Sequence, residues 1–577
     1  AVAMAATRNG AAWGDYDRDG DLDLAVTGGG LTRVYRNNNG TFLSLPFVFQ
    51  GLTNGVVAWG DYDNDGDLDL LVSGDKGSLT PFTALYRNDG NDVFTVVTST
   101  LPALSDSAAA WGDFDGDGDL DLLFAGLGSS SAQAAVYRNN GDGTFTVAAS
   151  LAGVDHASVA WGDYDNDGRL DALVAGVNSG GYVVQVYHNN GSGSFTAISL
   201  PLQGVASGGA QWADYNGDGF IDILVSGCTA SNCASRITRI YRNNHDGTFA
   251  DTDPGLNAVS GFSGAWGDFD NDGDLDLFLD RLYRNNSPFS NAPPSAPSGL
   301  VADLLPDNNV LLHWQAGADG TNNGGLNYSL RVGTAPGGVN YLSPHAGTDG
   351  TRRLPERGLA NGTVWFLRDV PRGIYYWSVQ TIDAGLAGSA FSAQNTFTIT
   401  NARPVISAVA NQLAVPGRPT PPIPFTVSDF ETAAGSLTVN GSSSNTNLVP
   451  PAGLLLAGSG TNRTIKVSPA PHLSGTTTIT LTVADAGGLV ATSRFDIVVQ
   501  AFSDAAAACR LRQAGQAPGP IMTTTAISIL RWPAQGFRLR PFTAIIPEFL
   551  PTRVFHCQIA PATISRGSIM TGTVIWI

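Results

Sequence analysis

The sequence predicts an all-β protein: a β-propeller of at least six blades, then two β-sandwich domains and a disordered C-terminal tail. Three observations carry this. A nine-residue acidic loop of the form D-x-D-x-D-G-x-x-D, first met at Asp15–Asp23, recurs six times with little change. Each copy follows a tryptophan, and Trp13, Trp59, Trp111, Trp161, Trp212 and Trp266 are 46, 52, 50, 51 and 54 residues apart, a period that signals a propeller or solenoid. The 577 residues include 70 Gly and 31 Pro, which implies many turns and few helices.

The loop carries its own chemistry. Asp15, Asp17, Asp19 and Asp23 stand at positions 1, 3, 5 and 9 and would repel one another unless a cation sat between them. Calcium fits best, because it takes six to eight oxygen ligands in flexible geometry and Gly20 lets the backbone turn sharply under the ion. Position 7, here Asp21, is expected to offer its backbone carbonyl. An EF-hand is excluded: it needs flanking helices and an acidic residue at position 12, where this chain has Val26 or Val72 and continues in β-type residues.

The second repeat shows the strand grammar. Val56–Tyr62 is a β-rich run, the loop Asp61–Asp69 follows, and Leu68–Ser73 is a second run with Leu68 and Leu70 on one face. A third run ends in Ala84–Asn88, an Asp89-Gly90 turn follows, and a fourth begins at Phe94. Four short antiparallel strands in about 50 residues describe one propeller blade. Tyr-Arg-Asn at 35–37, 86–88, 137–139, 241–243 and 283–285, and Tyr-His-Asn at 187–189, hold the third-strand position. Their tyrosines, with the tryptophans, are read as packing between blades.

These units resemble FG-GAP/VCBS repeats, the calcium-loop blades of integrin α-subunit-type propellers and of many bacterial surface proteins. The resemblance covers residues 1–290. It implies that each loop joins the first two strands of a blade, that calcium lies on the propeller's underside, and that the ring has six or seven blades. The last repeat, after Asn286, runs into SPFSNAPPSAP without a clear fourth strand. Carried over residue by residue, about one Ca2+ per loop, six in all, is expected on Asp15, Asp17, Asp19, Asp21 and Asp23; on Asp61, Asp63, Asp65, Asp67 and Asp69; and on Asp113, Asp115, Asp117, Asp119 and Asp121. The fourth loop offers Asp163, Asp165, Asp167, Arg169 and Asp171. In the fifth, Asn216 replaces an aspartate beside Asp214, Asp218, Phe220 and Asp222, with one charge fewer. The sixth offers Asp268, Asp270, Asp272, Asp274 and Asp276. Arg169 and Phe220 enter only through their carbonyls.

Ala292–Pro297 reads as a stiff linker. Residues 291–400 are similar to a fibronectin type III sandwich, on Trp314 in an early strand and Tyr375-Tyr376-Trp377 in a late one. Residues 401–500 resemble an Ig- or cadherin-like module, with strands at Ile423–Ser428, Arg463–Val467, Thr477–Ala484 and Thr492–Val499. Asp429, Glu431 and Asp485 there are read as a solvated loop before a metal site.

Residues 501–577 break the pattern. They hold seven Arg against Asp504 and Glu548, whereas the rest of the chain has 24 basic and 48 acidic residues. Codons can be chosen for Pro518–Ile529 so that the frame starting at their third nucleotide spells W-A-D-Y-D-N-D-G-H-L-D. The same offset turns Arg540–Thr552 into P-L-Y-R-N-N-S-G-V-F-T-D and Arg566–Ile577 into W-V-D-Y-D-G-D-G-Y-L-D. The expectation is a reading-frame error that leaves this tail unstructured and Cys509 and Cys557 without meaning. An unambiguous open frame in the DNA across this junction would refute it.

Composition bounds the function. The net charge is −19, the only lysines are Lys76 and Lys466, and no basic patch suits nucleic acid. No apolar run approaches the roughly 20 residues of a membrane span. AVAMAATRNG shows no signal peptide, and the chain enters almost directly into a repeat, as a fragment or processed start would. Cys228 and Cys233 are close enough to staple one loop in an oxidising compartment, with two free thiols as the alternative. The seven histidines are scattered, and no G-x-S-x-G, H-E-x-x-H or P-loop is present. The expected function is therefore non-catalytic: a secreted or cell-surface calcium propeller that binds an extracellular protein or polysaccharide. The alternative is a polysaccharide lyase-type enzyme. That would need a basic cluster in the propeller mouth, for which Arg33, Arg236 and Arg239 are the candidates.

Overall fold

The structure, a computed structural model, describes residues 10–261, 264–287, 291–320 and 325–500. The tail 501–577 and the frame reading placed on it lie outside the described residues. Among these residues the protein is all-β, with 36 strands and three short 3-10 turns.

Residues 10–283 form six successive antiparallel units. The first has strands Gly10–Gly14, Asp23–Gly28, Leu31–Asn38 and Thr41–Ser44, each paired with the next. The second repeats the order with Thr53–Gly60, Asp69–Asp75, Pro81–Asn88 and Phe94–Val97. The fifth runs Ala206–Ala213, Asp222–Cys228, Arg236–Asn243 and Phe249–Asp251.

The third and fourth units share a strand. Phe145–Gly162 pairs through Asn139↔Phe145 with the outer strand of one unit and through Gly162↔Asp171 with the inner strand of the next, making one seven-stranded sheet. The reason lies in the crossing segment. Pro46, Pro102, Pro201 and Pro254 interrupt the other four crossings, where each removes a ladder donor and fixes φ; none stands between Phe145 and Trp161.

The sixth unit is short: Ala265–Gly267, Asp276–Phe278 and Leu282–Tyr283, three strands. Its Phe269, Phe278 and Leu282 are exposed, as is Trp13 in the first unit, because no further unit covers these faces among the described residues.

The core lies between sheets rather than inside one. Separate clusters join units one and two around Leu70 and Tyr86, two and three around Leu122, three and four around Trp161, four and five around Ile223, and five and six around Trp266. Second strands are therefore covered on both faces: Leu70, Leu71 and Val72 are adjacent in sequence and all fully buried. Leu68 and Leu70 do share one face, with Val72, against the first unit, while Leu71 points to the other face against the third unit, so both faces are apolar because a neighbouring unit covers each side.

One contact set recurs at all five junctions. The Asn of each Tyr-Arg/His-Asn triplet donates its Nδ2 proton to the backbone of the preceding unit: Asn88 to Tyr16 O, Asn139 to Tyr62 O, Asn189 to Phe114 O, Asn243 to Tyr164 O and Asn285 to Tyr215 O. At three of these junctions the loop tryptophan also stacks on the same residue: Tyr16–Trp59, Phe114–Trp161 and Tyr164–Trp212.

Two sheet-on-sheet sandwiches follow. The first packs Ser298–Leu304, Val310–Gln315 and Val364–Leu367 against Asn327–Gly333, Gly373–Ile382 and Asn395–Ile399, around buried Trp314, Trp365 and Trp377. The second packs two four-stranded sheets around Phe425, Ile465, Leu481 and Phe495, and holds strands at Ile423–Ser428, Asn462–Val467, Gly475–Ala484 and Val490–Val499.

Candidate metal centres

Each acidic loop joins the first two strands of its unit, and the same hydrogen bonds shape it. In the second loop, Asp61 Oδ2 accepts Gly66 N–H at 3.0 Å and Asp65 Oδ1 accepts Asp67 N–H at 2.9 Å. Asp69 accepts Tyr62 N–H at 3.2 Å and Asn88 N–H at 2.8 Å, so position 9 ties the loop to the third strand. Gly66 has φ +91°, a conformation costly for any residue with a Cβ.

What these bonds leave over is the informative part. Asp61 Oδ1 and Asp63 Oδ1 are buried without a partner, as are Asp15 Oδ1, Asp115 Oδ1 and Asp270 Oδ1. Asp15, Asp17 and Asp19 bring one oxygen each within 4.8 Å of one another, and so do Asp61, Asp63 and Asp69; Asp113, Asp115 and Asp121; and Asp163, Asp165 and Asp171. Buried orphan carboxylate oxygens cost free energy unless something binds them. An all-oxygen set of this kind suits a hard divalent cation.

The electrostatics agree. Burial, opposed by backbone hydrogen bonds and reinforced by neighbouring aspartates, pushes Asp23 up to about 8, Asp121 to about 9, and Asp171 and Asp222 to about 8. Asp15, Asp113, Asp163 and Asp214 are pushed up to about 6, again mainly by burial. Without a cation, the position-9 carboxylates near 8–9 keep their protons at neutral pH, whereas the position-1 carboxylates near 6 are largely ionised and repel their neighbours.

Position 7 side chains find partners elsewhere, which frees that position's type. Asp21 accepts Asn39 N–H, Asp67 pairs with Arg18, Asp119 with Arg368, Arg169 with Asp167, and Phe220 stacks on His245. Asp274 is buried. The fifth loop keeps its shape with Asn216, whose Oδ1 accepts Asp218 N–H at 3.2 Å while His245 approaches Asp218 at 3.0 Å. In the sixth, Asp270 and Asp272 pair with Arg284 at 2.8 and 2.7 Å.

Neighbouring loops are linked through position 4. Arg18 pairs with Asp67 at 2.8 Å, Asn64 donates to Asp119 Oδ1 at 2.6 Å, and Asn166 donates to Gly219 O at 3.0 Å. Sequence reasoning missed these links, and it missed the role of the residue after the repeated tyrosine. Arg138 sits 2.6 Å from Asp115 and Arg36 3.9 Å from Asp17, so the third strand supplies a cation beside the loop. In the fourth unit His188 takes that place, with Nδ1 3.3 Å from both Asp165 and Asp171. The histidines are thus not all remote from the carboxylates; the fold brings together what spacing kept apart. The signal was the recurrence of the whole triplet, not of its tyrosine alone.

Asp429, Glu431 and Asp485 are consumed at the joint between the sandwiches. Asp429 accepts N–H bonds of its own turn, Glu431 pairs with Arg372, and Asp485 accepts from Asn401. Cys228 and Cys233 form a disulfide that closes the loop between two strands. On loop closure alone, its reduction is expected to cost roughly 2 kcal/mol. A urea titration of the fifth unit's signals with and without reductant measures this, and no shift in midpoint would refute it.

No curated protein sequence matches the chain. Among solved structures it is similar to fibronectin domains FN1–FN3 of chicken CNTN1, at 14% identity over 36% of this chain and 68% of that one, with a TM-score of 0.17. It is also similar to domains 4 and 5 of the S-layer protein SbsC, at 16% identity over 34% of this chain and 98% of that one, with a TM-score of 0.13. A family described as FG-GAP-like repeat matches residues 15–72, 61–124, 113–174, 173–225 and 229–279, and together these spans contain all six acidic loops. The chain therefore carries five matched FG-GAP-like repeats in its N-terminal half.

Proposed function

We propose that residues 10–283 are a calcium-loaded β-propeller of an extracellular protein, and that it acts as a non-catalytic adhesion or ligand-binding module for a protein or polysaccharide. The observation that carries this reading is the set of buried, unpartnered carboxylate oxygens in the first, second, third and sixth loops, with a like-spaced carboxylate cluster in the fourth, which a bound cation would satisfy. FG-GAP-like repeats are typical of extracellular proteins, and no helix among the described residues is long and apolar enough to cross a membrane. The lyase alternative has less support: Arg239 is held by Asp251 and Asp253, and Arg33, on the third strand of the first unit, donates to Ser44.

In this reading calcium would be held by the carboxylates at positions 1, 3, 5 and 9 and the carbonyl of position 7, and it would lock the loop turn. The test passes the protein over a panel of polysaccharides and cell surfaces, with calcium and with chelator, scoring retention and product release together. Calcium-dependent retention without turnover is expected. Released oligosaccharide would replace this reading with the enzymatic one.

A further inference from the structure

The first sandwich does not hang free of the repeats; it sits on the acidic loops. Arg18, at position 4 of the first loop, donates to Tyr341 O at 3.3 Å, and Asp15 N–H points at His345 Nε2 at 3.5 Å. Tyr341 O also lies where a Cβ on Gly66, position 6 of the second loop, would stand. Arg368 N–H donates to Asn64 O at 2.9 Å, and the Arg368 guanidinium grips both oxygens of Asp119 at 2.7 and 2.6 Å. Phe366 packs on Gly118, and Asn361 donates to Gly168 O at 3.2 Å. Asn291 N–H reaches Gly273 O of the sixth loop at 2.7 Å.

Most of these loop groups fall at positions 4, 6 and 7 of the nine-residue pattern. That is the apex of the loop, the part whose turn an ion would fix. The apices are also linked to each other, through Arg18–Asp67, Asn64–Asp119 and Asn166–Gly219. Behind them the sandwich's own core takes in Leu120 and packs against Trp111. Its segment 343–361, with His345, Arg352, Glu356 and Arg357, lines a cavity of about 700 Å3 together with the six loop tryptophans.

We propose that the loop apices are the docking surface for the first sandwich, and that calcium in the loops sets this seat. The inference rests on the calcium reading above. With the ions in place the apices present their carbonyls and Asp119 in register, and the sandwich lines the cavity. Without them the carboxylates at positions 1, 3 and 5 repel, the apices open, and the seat is lost while the linker keeps the sandwich nearby. The surface commits to one occupant, the chain's own sandwich.

The test uses the full chain. Calcium binding is measured by calorimetric titration, and docking by hydrogen exchange at the Arg368 amide together with small-angle scattering. Chelation is expected to speed exchange at that amide by about ten-fold or more and to enlarge the particle, since local opening governs exchange. Arg368→Glu should undock the sandwich with calcium present, at unchanged calcium stoichiometry, and Arg368→Lys should restore part of the protection. If calcium leaves on chelation while exchange and scattering stay constant, the docking proposal falls and the calcium reading stands. If titration detects no calcium binding, both fall. A variant that unfolds would show it in near-ultraviolet circular dichroism, and the wild-type comparison would still decide.

Discussion

Chelation of calcium from the full chain is expected to lower the melting temperature of the repeat region by at least about 10 °C. An ion that binds only the folded state adds RT ln(1 + [L]/Kd), about 2.7 kcal/mol per site at a hundred-fold excess over Kd. Two such sites already amount to about 5 kcal/mol, which is comparable with the whole net stability of a typical domain and corresponds to roughly 10–20 °C at this size. Differential scanning calorimetry with calcium and with excess chelator checks it; coincident melts would count heavily against occupied loops.

The pH dependence has a defined sign. In the metal-free chain the folded pKa values of Asp23, Asp121, Asp171 and Asp222 lie near 8–9, above the ordinary 3.8. Raised carboxylate values contribute stability that is present below the unfolded pKa and is lost as pH rises through the folded one. Apo protein is therefore expected to lose stability as pH rises from about 4 to about 9, the span between the ordinary and the raised values. Calcium must displace those protons, so its affinity should rise over the same window, with proton release near neutrality. Titrations in buffers of different ionisation enthalpy read the released protons directly.

The second large effect separates two tryptophans that look alike in sequence. Trp161→Ala is expected to cost about 3–5 kcal/mol, the usual range for a buried large aromatic. Trp161 is 6% exposed, stacks on Phe114, touches Phe195 and donates Nε1–H to Ala110 O at 3.0 Å. Trp13→Ala is expected to cost only about 1 kcal/mol or less, within the spread of exposed sites. Trp13 is 41% exposed, and its aromatic neighbour is Phe42 of its own unit. Urea unfolding of both variants tests the pair; equal losses would mean that Trp13 is covered as the others are.

Much of the fold and of the candidate site was legible because both repeat. The nine-residue loop announces its oxygen donors by type and spacing, and a strand on either side follows from β-rich runs bounded by Gly and Asn. Strand pairing within a unit is local, so it too could be read: Ala84–Asn88 does lie in a third strand ending at Asn88. The second sandwich was legible in part. Its alternating strands were placed, whereas Thr438–Ser443 and Leu454–Ser459 were not, because TVNGSS is polar and LLLAGS carries no alternation; a distant partner at 479–484 makes the first a strand, and a hairpin with 462–467 the second.

By itself, then, the sequence determined the all-β class, the repeat length, the carboxylate set of each loop and the cysteine pair available for a staple. These depend on neighbours close along the chain. Only the tertiary structure decided the rest. It covered both faces of each second strand, merged the third and fourth units where no proline intervenes, and turned His188 toward Asp165 and Asp171. It left Trp13 bare while burying Trp161, and it set the sandwich's Arg368 on Asp119, 249 residues away. Each of those outcomes depends on which distant surface lies opposite, and hydrophobic burial and charge pairing select that surface only when the whole chain is packed.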